Sequence, residues 1–150
     1  MFKQVDTRLR LTTRDNECYF FCVLDIFEEV TKYKLSITDV EEIHSMCVNM
    51  EYIGLDGWMK LKAVRSVAQI ASAITGKNCY MKLVEEKEKY NHVIARFTRI
   101  VSAKEKHHFV RVDFNTKKVV TYDPYSDNGS LAVKQGKITG YRYIFAEAIK

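Results

Sequence analysis

At 150 residues, 47% hydrophobic and 29% charged, with six glycines and one proline, the chain has the composition of one globular domain, which excludes disordered, collagen-like and low-complexity polymers. No apolar run approaches the roughly 18 residues of a membrane span, and Met1-Phe2-Lys3-Gln4-Val5-Asp6 lacks the apolar stretch of a signal peptide, so a soluble cytoplasmic protein is expected. The net charge of +5 is dispersed, and its two basic stretches, Arg8-Arg10-Arg14 and 104–118, have neither the aromatic alternation of a single-strand groove nor a helix-turn-helix or finger pattern, which argues against nucleic acid as a partner.

The first predicted helix begins near Cys18 and runs to about Lys32, with Asp15 or Asn16 as N-cap and Lys32 and Lys34 suiting its C-terminal end. Its opening turns, Tyr19-Phe20-Phe21-Cys22-Val23-Leu24-Asp25-Ile26-Phe27, are apolar nearly all round, as expected of a centrally buried helix. Thr38-Asp39-Val40-Glu41 reads as a capping box opening a second helix that reaches about Asn49. After a loop with Gly54, Asp56 and Gly57, a third helix over 62–75 carries Val64, Val67, Ala68, Ala71 and Ile74 on one face and stops at Gly76. From Tyr80 onward β-branched and aromatic residues predict strands over 80–84, 93–101, 108–114, 117–122 and 141–147. Helices first and then an antiparallel sheet make a single α+β domain over 1–150.

Four cysteines, Cys18, Cys22, Cys47 and Cys79, are expected to remain thiols in a reducing compartment. Cys18 and Cys22 have no second Cys or His pair at zinc-ligand spacing, so no metal is expected. At a helix start, Cys18 would face the dipole's positive end and the unpaired first-turn amides, which lower a thiol pKa; Cys22, one turn deeper, is expected to be plain core. Downstream, 107–124 reads as a hairpin turning at Asn115-Thr116. In that register His108 lies directly opposite Asp123 on an inward face shared with Val110, Val112, Phe114, Val119 and Thr121, while His107 falls on the other face. A one-residue slip would separate the pair. Thiol, imidazole and carboxylate together suggest nucleophilic acyl transfer, with a cysteine early in the chain and its histidine far downstream. Trp58 stands in a loop where it lines a cleft or joins the core. His44 and His92 have no spaced partners, and 123–129 lacks the alternating acidic ligands of a calcium loop.

In three blocks the chain resembles the papain-like cysteine peptidases, specifically the bacteriocin-processing double-glycine type and its shorter phage- and bacterium-encoded relatives. Gln4-Val5-Asp6-Thr7-Arg8 is similar to the family's opening Gln-x-Asp-x-Arg block. Cys18-Tyr19-Phe20 with Ser36-Ile37-Thr38-Asp39-Val40-Glu41-Glu42-Ile43 resembles its nucleophile and second helices. His108-Phe109-Val110 with Tyr122-Asp123-Pro124 resembles its His-aromatic-Val and Asp-Pro pair; about 50–90 carries no motif. The resemblance implies a papain-like fold and a peptide or protein substrate without cofactor. It assigns Cys18 as nucleophile, His108 as general base, Asp123 as its orienting acid and Gln4 as an oxyanion-hole amide beside the Cys18 backbone N–H.

Two residues depart from the family pattern, which has Gly before the nucleophile and often a small residue after it. Glu17 places a negative charge beside the thiol, and Tyr19 crowds the cleft. They motivate an alternative, a catalytically inactive papain-like fold serving as a binding module. A peptidoglycan amidase or endopeptidase of the same broad fold is a further alternative, and the expected lack of an export signal weighs against it.

Overall fold

The computed structural model describes residues 1–4, 6–11, 16–125 and 136–149; Val5, Arg14, Asp15 and most of the 123–129 turn therefore lie outside the described residues. The architecture is α+β, with three helices and a five-stranded antiparallel sheet. Helix α1 spans Cys18–Thr31, α2 Ile37–Asn49 and α3 Val64–Thr75, the last preceded by a 3₁₀ turn at Leu61–Ala63. The strands are β1 (Cys79–Val84), β2 (His92–Val101), β3 (Lys104–Val112), β4 (Val120–Tyr122) and β5 (Lys137–Ala148), in the spatial order β1-β5-β2-β3-β4. Among the described residues no helix is long and apolar enough to cross a membrane.

The all-apolar opening of α1 does what such a surface requires: every residue from Cys18 to Leu24, with Ile26 and Phe27, is buried. They meet Val40, Ile43 and Cys47 of α2, Val64, Val67, Ala68 and Ala71 of α3, and Met81, Ile94, Phe109 and Ile144 of the sheet. Cross-strand partners share a face, so Val93, Ala95, Phe97, Val110 and Val112 point the other way and form a separate, smaller cluster.

The helix boundaries correct the caps. The α1 N-cap is Glu17, which makes no side-chain cap bond, while Asn16 donates its side-chain amide to Asp56 O at 2.6 Å and so ties down the neighbouring loop. In α2 the box is built two residues earlier than expected, from Ser36 and Asp39: Asp39 N–H donates to Ser36 Oγ and Ser36 N–H to Asp39 Oδ2, each at 3.0 Å. Tyr33 Oη also donates to Asp39, which recruits this carboxylate to the cap. Ser36→Ala is accordingly expected to cost about 1 kcal/mol, checked by chemical denaturation, whereas Thr38→Ala changes little.

The largest difference lies in the second half. Strand β3 begins at Lys104, not His108, because β2 and β3 join through Ser102-Ala103, both at positive φ (52° and 64°) without any glycine or asparagine to announce the turn. At the other end β3 stops at Val112. Asp113 opens a longer turn there, its carboxylate accepting from Thr116, Lys118 and Val119 N–H, and Lys117 takes positive φ (60°). These bonds hold the Asp113 carboxyl well below its ordinary range, the Thr116 backbone N–H and hydroxyl foremost. Asn115-Thr116 is thus inside a turn, not a two-residue hairpin loop, and β4 shrinks to three residues.

Candidate active site

Register decides which side chains meet. A hairpin closing at Asn115-Thr116 would pair Arg111 with Val120; instead Arg111 pairs with Tyr122, a shift of two, and a bulge follows between Arg111 and Val112. Because side chains alternate with period two, this shift keeps His108 and Asp123 on one face. Asp123 follows the last residue of β4, so the two meet beyond the ladder: His108 Nε2 lies 2.8 Å from Asp123 Oδ1, and both are buried. The carboxyl is held below its ordinary value; burial raises it, but the His108 hydrogen bond and Tyr125 N–H outweigh that. An ionised carboxylate only accepts, so the His108 proton sits on Nε2 and donates to Asp123. In the neutral ring Nδ1 is then a lone-pair acceptor. It is buried and has no hydrogen-bond partner among the described residues.

The face itself differs from expectation. His108 shares it with Phe97, Val110 and Val112, away from the main core, while Phe109 points to α1. Beyond the end of β4 the Phe109 backbone meets α1 instead of a strand: Cys22 Sγ donates to Phe109 O at 3.5 Å. The backbone amides of Phe109, Tyr19 and Cys18 itself all act on the Cys18 sulfur. Cys18 therefore lies against the residue next to His108, without a hydrogen bond to the imidazole.

The thiol corrects the expectation of a depressed pKa. Burial pushes Cys18 up to about 12, the three amides oppose this, and the Glu17 carboxylate adds to it. Cys18 is 2% exposed. Desolvation at a covered helix start outweighs the helix-end effect that sequence position suggests. Cys22, Cys47 and Cys79 are also buried and free, with Cys22 raised well above the ordinary thiol value by burial.

Gln4 is buried beside the pair. Its backbone N–H donates to Pro124 O at 3.0 Å and its Nε2 to Tyr125 Oη at 3.3 Å, so the side-chain amide expected at an oxyanion is turned to a tyrosine. The Tyr125 ring lies 4.9 Å from the His108 ring, and Tyr125 N–H donates to Asp123 Oδ1. Tyr125 thus touches Gln4, His108 and Asp123 alike, a role hidden in sequence behind a residue that follows Asp-Pro in an apparent turn. Phe2 and Lys3 bring the segment there: Tyr122 Oη donates to Phe2 O, and Lys3 Nζ lies over the Tyr122 ring at 4.5 Å.

The residues flanking Cys18 are accounted for by packing. Tyr19 turns into the core, its hydroxyl donating to Leu61 O at 3.0 Å and its ring 5.1 Å from Phe109. Trp58 meets the same Phe109 ring edge-on at 6.0 Å and is partly buried against the core. Glu17 is fully buried and its carboxylate fills the space over Gly57, where a Cβ would lie 2.2 Å from Oε1. Gly57 also has φ of +88°, so both its backbone and Glu17 require glycine. Among the described residues no cluster of three or more His, Cys, Asp or Glu side chains has the spacing to hold a metal ion.

Comparison with known proteins yields no match: no family model, no curated protein and no solved structure is significantly similar to the chain. Function therefore has to be inferred from the site.

Proposed function

We propose that the chain is a cytoplasmic papain-like cysteine hydrolase acting on an amide of a peptide or protein, with Cys18 as nucleophile, His108 as general base and Asp123 orienting the imidazole. The observation that carries this is the buried His108–Asp123 pair, with His108 Nδ1 unpaired among the described residues. A buried polar atom without a partner costs about 1–3 kcal/mol, and such groups persist where chemistry uses them. In the reaction Nδ1 takes the Cys18 thiol proton and the sulfur attacks the carbonyl carbon. The C–N bond breaks as the imidazolium returns that proton to the leaving amine, and water then hydrolyses the thioester. Thiol–imidazole contacts in a resting site are commonly long and tighten only with substrate.

A second reading, an inactive fold used as a binding module, is favoured by the covered thiol and its raised pKa. Alkylation with iodoacetamide at pH 7, read by mass spectrometry of each cysteine, separates the two. The hydrolase predicts labelling confined to Cys18, absent in Cys18→Ala and slowed by about 100-fold in His108→Ala. Equal labelling of native protein and Cys18→Ala, or an unchanged rate in His108→Ala, would refute it in favour of the binding module.

A further inference from the structure

Resting on the hydrolase reading, we infer that Arg142 and Arg96 form an anion subsite beside Cys18, and that the substrate bears a carboxylate close to the amide that is cleaved. Strand β5 places Arg142 opposite Ile94, and Gly140 opposite Arg96, on the face of the sheet that meets the helices. A Cβ on Gly140 would lie 3.5 Å from Arg96 Nη2 and 3.7 Å from Arg142 Nη1, ordinary van der Waals distances, so both guanidiniums border the space over this glycine. Arg96 is braced there: Nε donates to Thr139 Oγ1 at 3.1 Å and Nη2 to Thr139 O at 3.2 Å. Thr139 Oγ1 is in turn hydrogen-bonded to Thr98 Oγ1, and Thr98 Oγ1 to His107 Nδ1. Arg142 lies over the Phe109 ring, 5.5 Å from its centroid, with Nε buried and lacking a hydrogen-bond partner among the described residues.

Phe109 joins this spot to the nucleophile, since its ring carries Arg142 while its amide faces the Cys18 sulfur. Among the described residues neither arginine has a carboxylate within ion-pair distance. Arg111 on the same face is the internal contrast, since it is given both Asp25 and Glu29. Two guanidiniums of like charge gathered on a partly covered surface are unfavourable unless an anion completes them, and their planar forks match a carboxylate's two oxygens. Burial lowers the Arg142 pKa, Tyr19 opposes this, and the proximity of Arg96 adds to the lowering. In a peptide such a carboxylate comes from a chain terminus or from an acidic side chain.

Two measurements test the subsite. The first follows Arg142 Nε–H by NMR during titration with N-acetylglycine (terminal carboxylate), N-acetylaspartic acid α-amide (side-chain carboxylate) and N-acetylglycinamide (neither). A saturable shift with one or both acids and none with the amide is expected, and it is weakened or lost in Arg96→Gln, which retains the Arg142 reporter; the stronger acid identifies the source. The second is the ratio of Cys18 alkylation by iodoacetate to that by iodoacetamide, expected to fall about tenfold in Arg142→Gln and again in Arg96→Gln. Identical titrations with acid and amide, or a ratio unmoved by both substitutions, overturn the subsite. A thiol inert to both reagents alongside an intact acid-specific shift would instead remove the hydrolase and keep the anion site.

Discussion

Replacing Arg111 by alanine is expected to lower the unfolding free energy by about 3 kcal/mol, read as a lower urea midpoint at unchanged slope. Arg111 Nη1 donates to Asp25 Oδ2 at 2.8 Å and to Glu29 Oε1 at 3.3 Å, clamping the middle of α1 to β3. Nη2 donates to His92 Nδ1 at 2.7 Å. A guanidinium has no acceptor, so His92 Nδ1 must offer a lone pair and the ring is neutral; its 3.6 Å approach to Glu29 is therefore not an ion pair in this state. Burial first and then Arg111 push His92 down to about 4, against the pull of Glu29. The unfolded chain takes up that proton near pH 6.5 and the folded one only near 4, so stability falls as pH drops through this window. Removing the arginine takes the closer of two cationic partners from Asp25 at the helix–sheet seam, leaving it the Met1 ammonium at 3.5 Å, while Glu29, half exposed, turns to water. Arg111→Met retains the stem's packing and should lose less than the alanine variant. In it the His92 titration, followed by NMR, should move upward; an alanine variant within about 0.5 kcal/mol of the parent would show that the clamp adds nothing.

That clamp was invisible in the sequence, and the reason is physical. His92 and Arg111 stand on neighbouring strands, and Asp25 and Glu29 are a helix away, so no spacing along the chain announces the group. The apolar run from Tyr19 to Leu24, by contrast, contains its own conclusion, because nothing but a buried central helix accommodates it. The Gly76 stop was equally legible, since the left-handed cap it forms favours glycine. Turns made without glycine, at Ser102-Ala103 and around Asp113, were not, and they moved the ends of β3 by several residues. The approach of His108 to Asp123 tolerated that error only because the shift at Arg111 was even. Sequence position suggested an activated Cys18, whereas its ionisation depends on how much protein covers it. Arg142 escaped notice for a related reason: an arginine in a strand is ordinary until its neighbours are known to hold no acid.

Phe20→Ala is expected to be the most damaging single substitution, at about 4 kcal/mol, the usual cost of a vacated, fully buried phenylalanine site. Phe20 is completely buried within the first turns of α1, two residues from Cys18. Its ring meets Phe21 at 5.7 Å and His44 of α2 at 5.4 Å, both edge-on, so the loss includes aromatic pair energy besides transfer and cavity terms. His44 is pushed down to about 4 by the same burial. A cavity that admits water would relieve this, and the His44 titration should rise in Phe20→Ala. Phe20→Leu preserves most of the volume and is expected to cost no more than about 1.5 kcal/mol. The consequence for the site follows from helix geometry: Cys18 and Cys22 are separated by about one turn, so a loosened first turn exposes both. Native-state alkylation of Cys22, which lies wholly inside the core, should therefore appear in Phe20→Ala and stay undetectable in Phe20→Leu. If Cys22 remained protected in the alanine variant while stability fell as expected, the cavity would have been absorbed between α1 and α2, and the start of α1 would be held in place by Phe109 and the sheet alone.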